Sequence, residues 1–135
     1  MQVARLLEDS GTGSWRGKLR QMRLALALER QLSKDEILTL YLHLAPYGGN
    51  IEGIRAAGFT WFGHEPQNLT TAEAALLVAL PQSPNYRRPD RYPETALAAR
   101  GRVLERAVRF DMLEEDEAAW ANRAPLPGTR HDFPL

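Results

Sequence analysis

The sequence predicts an all-α fold, and three observations indicate it. Apolar residues recur at helical spacing in several segments, two segments open with a Ser/Thr-x-x-Glu capping box, and no segment alternates apolar and polar residues for long enough to form a convincing strand. The 135 residues suit one compact domain, and the apolar fraction of 44% excludes a wholly disordered chain. We therefore expect several helices joined by short loops.

The first two helices are predicted from composition. Residues 1–7 have a sequence typical of a helix that is already under way. After a turn rich in serine and glycine at 10–14, the segment 17–31 contains no proline and consists mostly of strong helix formers.

A capping box places the start of the next helix. Ser33 is followed by Glu36, so a helix begins at Lys34. Its apolar residues lie at i, i+3, i+4 and i+7 and predict one buried face, formed by Ile37, Leu40, Tyr41 and Leu44. Pro46 and the glycine pair at 48–49 end this helix.

Two helices are predicted in the middle of the chain. Asn50 can cap a helix over 51–62. Thr70 and Glu73 form a second capping box. The helix that this box opens is apolar nearly all round, which predicts a central position, and it ends at Pro81.

The last third of the chain contains a loop and two helices. The loop over 82–93 is rich in proline and arginine, and Pro93 suits the first turn of a helix over 94–110. The predicted buried side of that helix consists of Leu97, Leu104 and Val108. A short acidic helix over 113–122 precedes a proline-rich tail.

Composition excludes several function classes. Seventeen basic and seventeen acidic residues give no net charge, which disfavours a general nucleic-acid binder. Without cysteine, the chain has no disulfide framework, thiolate zinc site or cysteine nucleophile. The three histidines lack metal-ligand spacing, so we expect no protein metal site. No signal peptide or apolar run of about 18 residues is visible in the sequence, so we expect a soluble chain, as a piece of a longer protein.

Charge is distributed unevenly along the chain. Residues 1–34 hold seven basic and three acidic groups, a net of +4, and residues 111–117 hold five acids. At about 100° per residue, one arc of about 80° on the 17–31 helix carries four arginines. This arginine stripe consists of Arg16, Arg20, Arg23 and Arg30. It is a solvated face or a surface for anionic lipid head groups, to which each basic residue contributes about 1 kcal/mol.

Other candidate sites have two interpretations each. Lys18 and Gln21 lie one turn apart on the side of the helix opposite the arginine stripe. They are either ordinary surface groups or part of the wall of a cleft. In a cleft, the lysine would provide a point charge for binding phosphate. The loop 45–50 precedes a helix and is an anion site or, as we favour, a tight turn with positive φ. Glu8 and Asp9 are a general base with its helper or, as we favour, surface carboxylates.

Seven short segments stand in a recognisable order. They are 1–7 (MQVARLL), 17–21 (GKLRQ), 34–43 (KDEILTLYLH), 45–50 (APYGGN), 73–77 (EAALL), 80–84 (LPQSP) and 100–104 (RGRVL). Together they resemble the motifs of peptidoglycan glycosyltransferases, glycosyltransferase family 51, the polymerising domains of class A penicillin-binding proteins. The resemblance covers residues 1 to about 110, and the ordered set is far more specific than any single motif.

Individual positions follow the family's motifs closely. The third segment resembles Lys-x-x-Ile-Leu-x-x-Tyr-Leu-Asn, with His43 in place of the asparagine. The second segment occupies the place of Arg-Lys-x-x-Glu, with Gln21 where most members have glutamate and one subtype commonly has glutamine. The last segment resembles Arg-Arg-x-x-Val-Leu, with Ala99 at its first position.

The resemblance implies a fold and a reaction. The fold is lysozyme-like and mostly helical, and the substrate is lipid II, a disaccharide-pentapeptide on a polyprenyl pyrophosphate. A glutamate in a Glu-Asp-x-x-Phe-x-x-His-x-Gly motif acts as general base on the acceptor 4-hydroxyl, which attacks the donor's anomeric carbon with inversion. Basic side chains, or a divalent metal such as Mg or Mn, offset the charge of the leaving polyprenyl pyrophosphate.

The resemblance also implies which residues contact the substrate. The carried-over positions are Gln2, Lys18, Gln21, Lys34, Tyr41 and Arg100. Lys18 carries over as a ligand of the pyrophosphate with Gln21 beside it, while Lys34, Tyr41 and Arg100 mainly support the cleft.

The family's first motif has no counterpart in the sequence, so no catalytic residue is predicted. The pair at 8–9 does not match it, because position 12 is Thr rather than Phe and the pair follows the second motif. We expect 1–110 to be a partial, N-terminally truncated glycosyltransferase domain, and 111–135 to lead toward a transpeptidase domain. The parent protein is expected at the periplasmic face of the bacterial inner membrane, with the growing glycan chain and the membrane surface as partners and no nucleic acid. The truncated chain is expected to be inactive alone.

Two alternatives remain open. A non-catalytic helical module would bind anionic lipid or a protein partner through the arginine stripe. A lysozyme-like glycan hydrolase would need a general-acid carboxyl with a raised pKa, and the sequence contains no convincing candidate.

Overall fold

The computed structural model describes residues 1–7 and 14–133. Within those residues the regular structure is helical, and the one β contact is an isolated bridge between Pro46 and Glu52. The predicted all-α class is confirmed. The pair at 8–9 and most of the predicted turn at 10–14 lie outside the described residues.

The helices follow one another through short connections. They are α1 (Gln2–Leu7), α2 (Trp15–Gln31), α3 (Lys34–Leu44), α4 (Ile54–Phe62), α5 (Thr71–Ala79), α6 (Pro93–Arg109) and α7 (Glu115–Arg123), with short 3-10 turns at Pro66–Asn68 and Leu80–Gln82. Across the described part of the chain, every helix is too short or too polar to span a membrane. Two compact units are present, Met1–Ala45 and Pro46–Leu135. The predicted division near residue 110 stays a prediction.

The first unit consists of α1, α2 and α3, each in contact with the other two. Ser14 caps α2 by accepting a 3.1 Å hydrogen bond from the Gly17 amide. The predicted capping box at α3 is confirmed, because the Ser33 amide donates to Glu36 and the Glu36 amide donates to the Ser33 hydroxyl. The predicted buried face of α3 is half-buried along its length.

The second unit is built around α5, which packs against α4, α6 and α7. The capping box of Thr70 and Glu73 is present as predicted, and most of α5 is buried, which confirms its central position. Its apolar core cluster consists of Ala72, Ala75, Leu104 and Ala121.

Two details of the predicted helices are wrong. The helix predicted over 51–62 begins only at Ile54, because Gly53 is its N-terminal cap with φ 83° and Asn50 lies in a turn closed by the Tyr47 amide donating to the Ile51 carbonyl. Leu97, predicted on the buried side of α6, is exposed.

Candidate functional site

The residues of the second motif segment lie on α2, with Gln21 turned inward. The buried residues of α2 are Gly17, Gln21 and Ala25, and only 8% of the surface of Gln21 is exposed to solvent. Lys18 is exposed at the edge of this buried face. A solvent-accessible ammonium group therefore lies one helical turn from a buried amide side chain.

The neighbouring helices of the first unit carry three more of the predicted residues. Gln2 is exposed at the first residue of α1, and Lys34 is exposed at the first residue of α3. Tyr41 is half-buried on α3, and burial raises the pKa of its hydroxyl. His43, which replaces the motif's asparagine, places its Nδ1 atom 2.8 Å from the carbonyl oxygen of Thr39. Five of the six predicted residues thus belong to one compact unit.

Arg100, the sixth predicted residue, lies in the second unit and is 1% exposed. Its Nη2 atom donates to the carbonyl oxygens of Asn122 and Ala124 at 3.0 and 2.7 Å. These bonds tie α6 to the end of α7, and burial lowers the pKa of the guanidinium. These hydrogen bonds to the backbone indicate a structural role for Arg100.

The glycine loop after α3 is a tight turn, as favoured from the sequence. Gly48 and Gly49 have φ values of 108° and 62°, and the Gly49 amide donates to Asn85 at 3.2 Å. The buried Tyr47 accepts a 3.0 Å hydrogen bond at its carbonyl from the Trp61 indole. A Cβ atom at Gly48 would lie 3.0 Å from the Arg88 side chain, so the site requires glycine.

Arg88 forms a largely buried ion pair that sequence reasoning missed. Its guanidinium donates two hydrogen bonds to the Asp90 carboxylate, at 3.0 and 2.5 Å. The bonds raise the pKa of Arg88 and lower that of Asp90. No local pattern distinguishes this pair from other charges in the loop. No group of three or more His, Asp or Glu side chains suited to a metal occurs in the residues that the structure describes.

An exposed apolar stripe on α2 was also missed. The α2 apolar stripe consists of Trp15, Leu19, Met22 and Leu26, and Trp15 is 83% exposed. At about 100° per residue these positions share an arc of about 60° beside the arginine stripe. The spacing is visible in the sequence, but an apolar helical face ordinarily predicts burial.

Comparison with known proteins places this arrangement in a family. The family model described as Transglycosylase matches residues 1–108, from α1 almost to the end of α6. The chain is 57% identical over 126 residues to penicillin-binding protein 1C of Escherichia coli, and the aligned region covers 93% of the chain and 16% of that protein. It is 32% identical over 131 residues to penicillin-binding protein 1A of Pseudomonas aeruginosa, covering 97% of the chain and 16% of that protein.

A solved structure has a similar fold. The crystal structure of penicillin-binding protein 1A from Haemophilus influenzae matches 98% of the chain and 17% of its own length, with a TM-score of 0.61 and 20% sequence identity. This likeness concerns the fold, and it confirms the predicted lysozyme-like helical class.

The relatives are much longer than the chain, which spans about one sixth of the penicillin-binding proteins compared. Gln21 and the segments 1–7 and 45–50 resemble the 1C subtype, and the relative at 57% identity carries that name. Because the family model covers most of its residues, the chain belongs to the Transglycosylase family.

Proposed function

We propose that the chain is part of an enzyme that polymerises peptidoglycan glycan strands from lipid II. The acceptor 4-hydroxyl attacks the donor's anomeric carbon with inversion, and polyprenyl pyrophosphate leaves. The observation that carries this proposal is the Transglycosylase match over 1–108, within which seven segments follow the order of the glycosyltransferase motifs. The names of the penicillin-binding relatives support it.

The task of this chain in the reaction is recognition of the lipid-linked pyrophosphate. The exposed ammonium group of Lys18 binds pyrophosphate oxygens and offsets the charge that develops on the leaving group. Gln21 adds a neutral hydrogen-bonding group beside it. Lys34 and Tyr41 support this region through α3, and Gln2 borders it at the start of α1. A divalent metal used by the reaction would be held by the oxygens of the substrate pyrophosphate.

The sequence offers no match for the general base that the family resemblance implies. No Glu-Asp-x-x-Phe pattern occurs in the sequence, so we expect no polymerisation by this chain alone. A glycan hydrolase would need a carboxyl with a raised pKa. Among described carboxyl groups, Glu36 and Asp90 have shifted pKa values, and both are lowered by hydrogen bonds, so nothing favours the hydrolase.

The longer relatives support a proposal about the setting of the enzyme. We propose that the whole protein acts at the periplasmic face of the bacterial inner membrane, on a growing glycan chain, together with a transpeptidase domain. The α2 apolar stripe, with arginines beside it, is suited to lie on an anionic membrane surface.

One observation also favours a second candidate, a non-catalytic module that binds anionic lipid. The four apolar side chains of the α2 apolar stripe are exposed next to four arginines, as in helices that lie in a membrane interface. In that function Lys18 and Gln21 would be dispensable.

The experiment is a lipid II polymerisation assay on the purified chain and on a longer protein that joins it to the coding sequence upstream. We expect glycan strands only from the longer protein, and only when the upstream sequence contains a Glu-Asp-x-x-Phe motif. In the longer protein, Lys18→Ala should abolish polymerisation, while Arg109→Ala, which removes an exposed basic side chain to which no role is assigned, should retain it. Polymerisation by the 135-residue chain would contradict its proposed inactivity. An inactive longer protein that carries the motif would contradict the proposed glycosyltransferase activity.

A further inference from the structure

The tail after α7 turns back onto α4 and onto the glycine loop 45–50. The contact is made by residues 130–133, the last four that the structure describes, and we refer to them as the tail strap. The tail strap lies beyond residues 1–108, which match the family model, whereas the glycine loop lies inside that match. No function proposed above uses the tail strap.

A backbone hydrogen bond and an aromatic pair attach the tail strap to α4. The His131 amide donates a 2.7 Å hydrogen bond to the carbonyl oxygen of Thr60. Phe133 packs edge-on against Phe59, with the ring centroids 5.3 Å apart and the ring planes at 74°. A Cβ atom at Gly63, the C-terminal cap of α4, would lie 3.3 Å from the imidazole of His131. These three contacts fix the position of the tail strap along α4.

Arg130 extends from the tail strap onto the glycine loop. Its guanidinium lies over the Trp61 indole, 5.5 Å from the ring centroid, which is a cation–π geometry. Its Nη2 atom donates to the Asn50 side chain at 3.4 Å and would lie 3.2 Å from a Cβ atom at Gly49. The buried Trp61 donates in turn to the carbonyl oxygen of Tyr47 in the same loop. One side chain of the tail strap thus contacts both the loop and the tryptophan that is bonded to the loop.

A second arginine packs on the same turn from the loop over 82–93. A Cβ atom at Gly49 would also lie 3.5 Å from Nη1 of Arg88, so two guanidinium groups lie close to this glycine. The hydrogen bonds from Arg88 to Asp90 mainly lower the pKa of that carboxyl, and the positive charge of Arg130 lowers it further. The glycine loop is therefore flanked by two cationic side chains, Arg88 inside the family match and Arg130 in the tail strap.

We propose that Arg130 is a positioning residue that holds the glycine loop in its turn, and that the rest of the tail strap aligns Arg130 for this task. Gly48 and Gly49 have no side chains with which to stabilise the turn, and glycine loses more conformational freedom on ordering than any other residue. Contacts from outside the loop therefore determine how well it is ordered. The consequence for catalysis rests on the proposed function, in which this loop is one of the seven motif segments.

Amide hydrogen exchange in the whole chain tests the tail strap without any substrate. The reporters are the amides that close the turn, which are those of Tyr47, donating to the Ile51 carbonyl, and Ile51, donating to the Gly48 carbonyl. Arg130→Met keeps the apolar stem but removes the guanidinium, so both amides should exchange about threefold faster or more. Arg123→Met, at an exposed arginine of α7, is the matched control and should leave them unchanged.

Phe133→Ala separates a strap from a purely local contact of Arg130. This variant keeps Arg130 but removes the aromatic pair with α4, so the two reporter amides should again exchange faster. Because both variants release the same segment, the effect of combining them should be clearly smaller than the sum of their separate effects on the free energy of opening. The Ala74 amide, which donates to Thr70 at the start of α5, should keep its exchange rate in every variant.

Polymerisation by the longer protein that carries the Glu-Asp-x-x-Phe motif tests the consequence for catalysis. Arg130→Met should lower kcat/KM about threefold or more, because a smaller fraction of the protein has the loop in place. Arg130→Lys, which keeps a cation over Trp61, should recover part of the loss, and Arg123→Met should cause none. An original longer protein without activity would contradict the proposed function, and the exchange rates would then decide the tail strap alone.

Four results would overturn the proposal. These are reporter amides that keep their exchange rate in Arg130→Met, fully additive effects of Arg130→Met and Phe133→Ala, an Ala74 amide that is accelerated as much as the reporters, or an active longer protein whose kcat/KM is indifferent to Arg130→Met.

Discussion

Arg100 is the residue whose position most clearly determines its role. Its guanidinium satisfies two backbone carbonyls at the end of α7 from a fully buried position on α6. Its Nε atom is buried without a hydrogen-bond partner in the structure, so the charge itself is costly to bury. The family resemblance implied a residue that mainly supports the cleft, and the contacts seen for Arg100 join α6 to the end of α7 within the second unit.

Arg100→Ala is expected to destabilise the chain by about 1–3 kcal/mol, because two partly buried hydrogen bonds from a buried guanidinium are lost. Urea unfolding followed by circular dichroism measures the change. Arg102→Ala, two residues later on the exposed side of α6, should change the free energy of unfolding by less than about 0.5 kcal/mol. Equal effects of the two substitutions would contradict the structural role.

His64 makes stability depend on pH. Its ring lies 2.9 Å from the Glu65 carbonyl oxygen and 3.3 Å from Glu73, and these contacts raise its pKa above the ordinary value of 6.5. The protonated form is therefore favoured by folding. Its contribution is fully present below the unfolded pKa and is lost as the pH rises through the folded pKa.

We expect the free energy of unfolding to fall slightly as the pH rises from about 6 to 8, by well under 1 kcal/mol, since solvent screens the exposed ring. His64→Gln should remove this slope, as measured by urea unfolding at each pH. His43→Gln is the control and should leave it. A slope that survives His64→Gln would assign the titration to another group.

At the scale of the element, the sequence locates helices well where a capping box is present. The boxes at Ser33 and Thr70 place the starts of α3 and α5 correctly because side chain and backbone satisfy each other locally. The start of α4 was misplaced because a capping asparagine and a turn asparagine have the same local sequence. What distinguishes them is the turn closed by Tyr47 and Ile51, which only the folded chain contains.

The exposure of apolar faces was the other feature that sequence could not supply. Periodicity shows that Trp15 and Leu19 share a face of α2, and that α5 is apolar all round. It does not show what covers a face. Trp15 and Val78 are both exposed in the folded chain, although their helical faces are apolar.

The α2 apolar stripe should bind membranes that carry negative charge. We expect the chain to float with vesicles that contain phosphatidylglycerol and not with neutral vesicles, and salt should weaken the binding. Trp15→Ser with Leu19→Ser should reduce flotation, whereas Leu38→Ser on α3 should not. Equal binding to neutral vesicles would contradict an electrostatic contribution from the arginine stripe.

At the scale of the whole molecule, the distribution of charge along the chain is more informative about function than its net charge. The chain has no net charge, yet its first 34 residues carry a net of +4. Five of the six predicted substrate residues lie in the unit that contains this excess, Met1–Ala45. The family could be recognised from the order of seven short segments, but the distances between a substrate and its ligands depend on residues and partners beyond any local pattern.

Lipid II binding by the purified chain tests the central claim most directly. Lys18→Ala with Gln21→Ala should weaken binding about tenfold or more, because hydrogen bonds to a charged group contribute about 1.5–3 kcal/mol. Neutralising Arg16, Arg20 and Arg23 with glutamine should weaken it less when the lipid is presented in neutral detergent. The opposite ordering, with full binding by the Lys18 and Gln21 variant and loss on neutralising the arginines, would contradict a pyrophosphate site on α2.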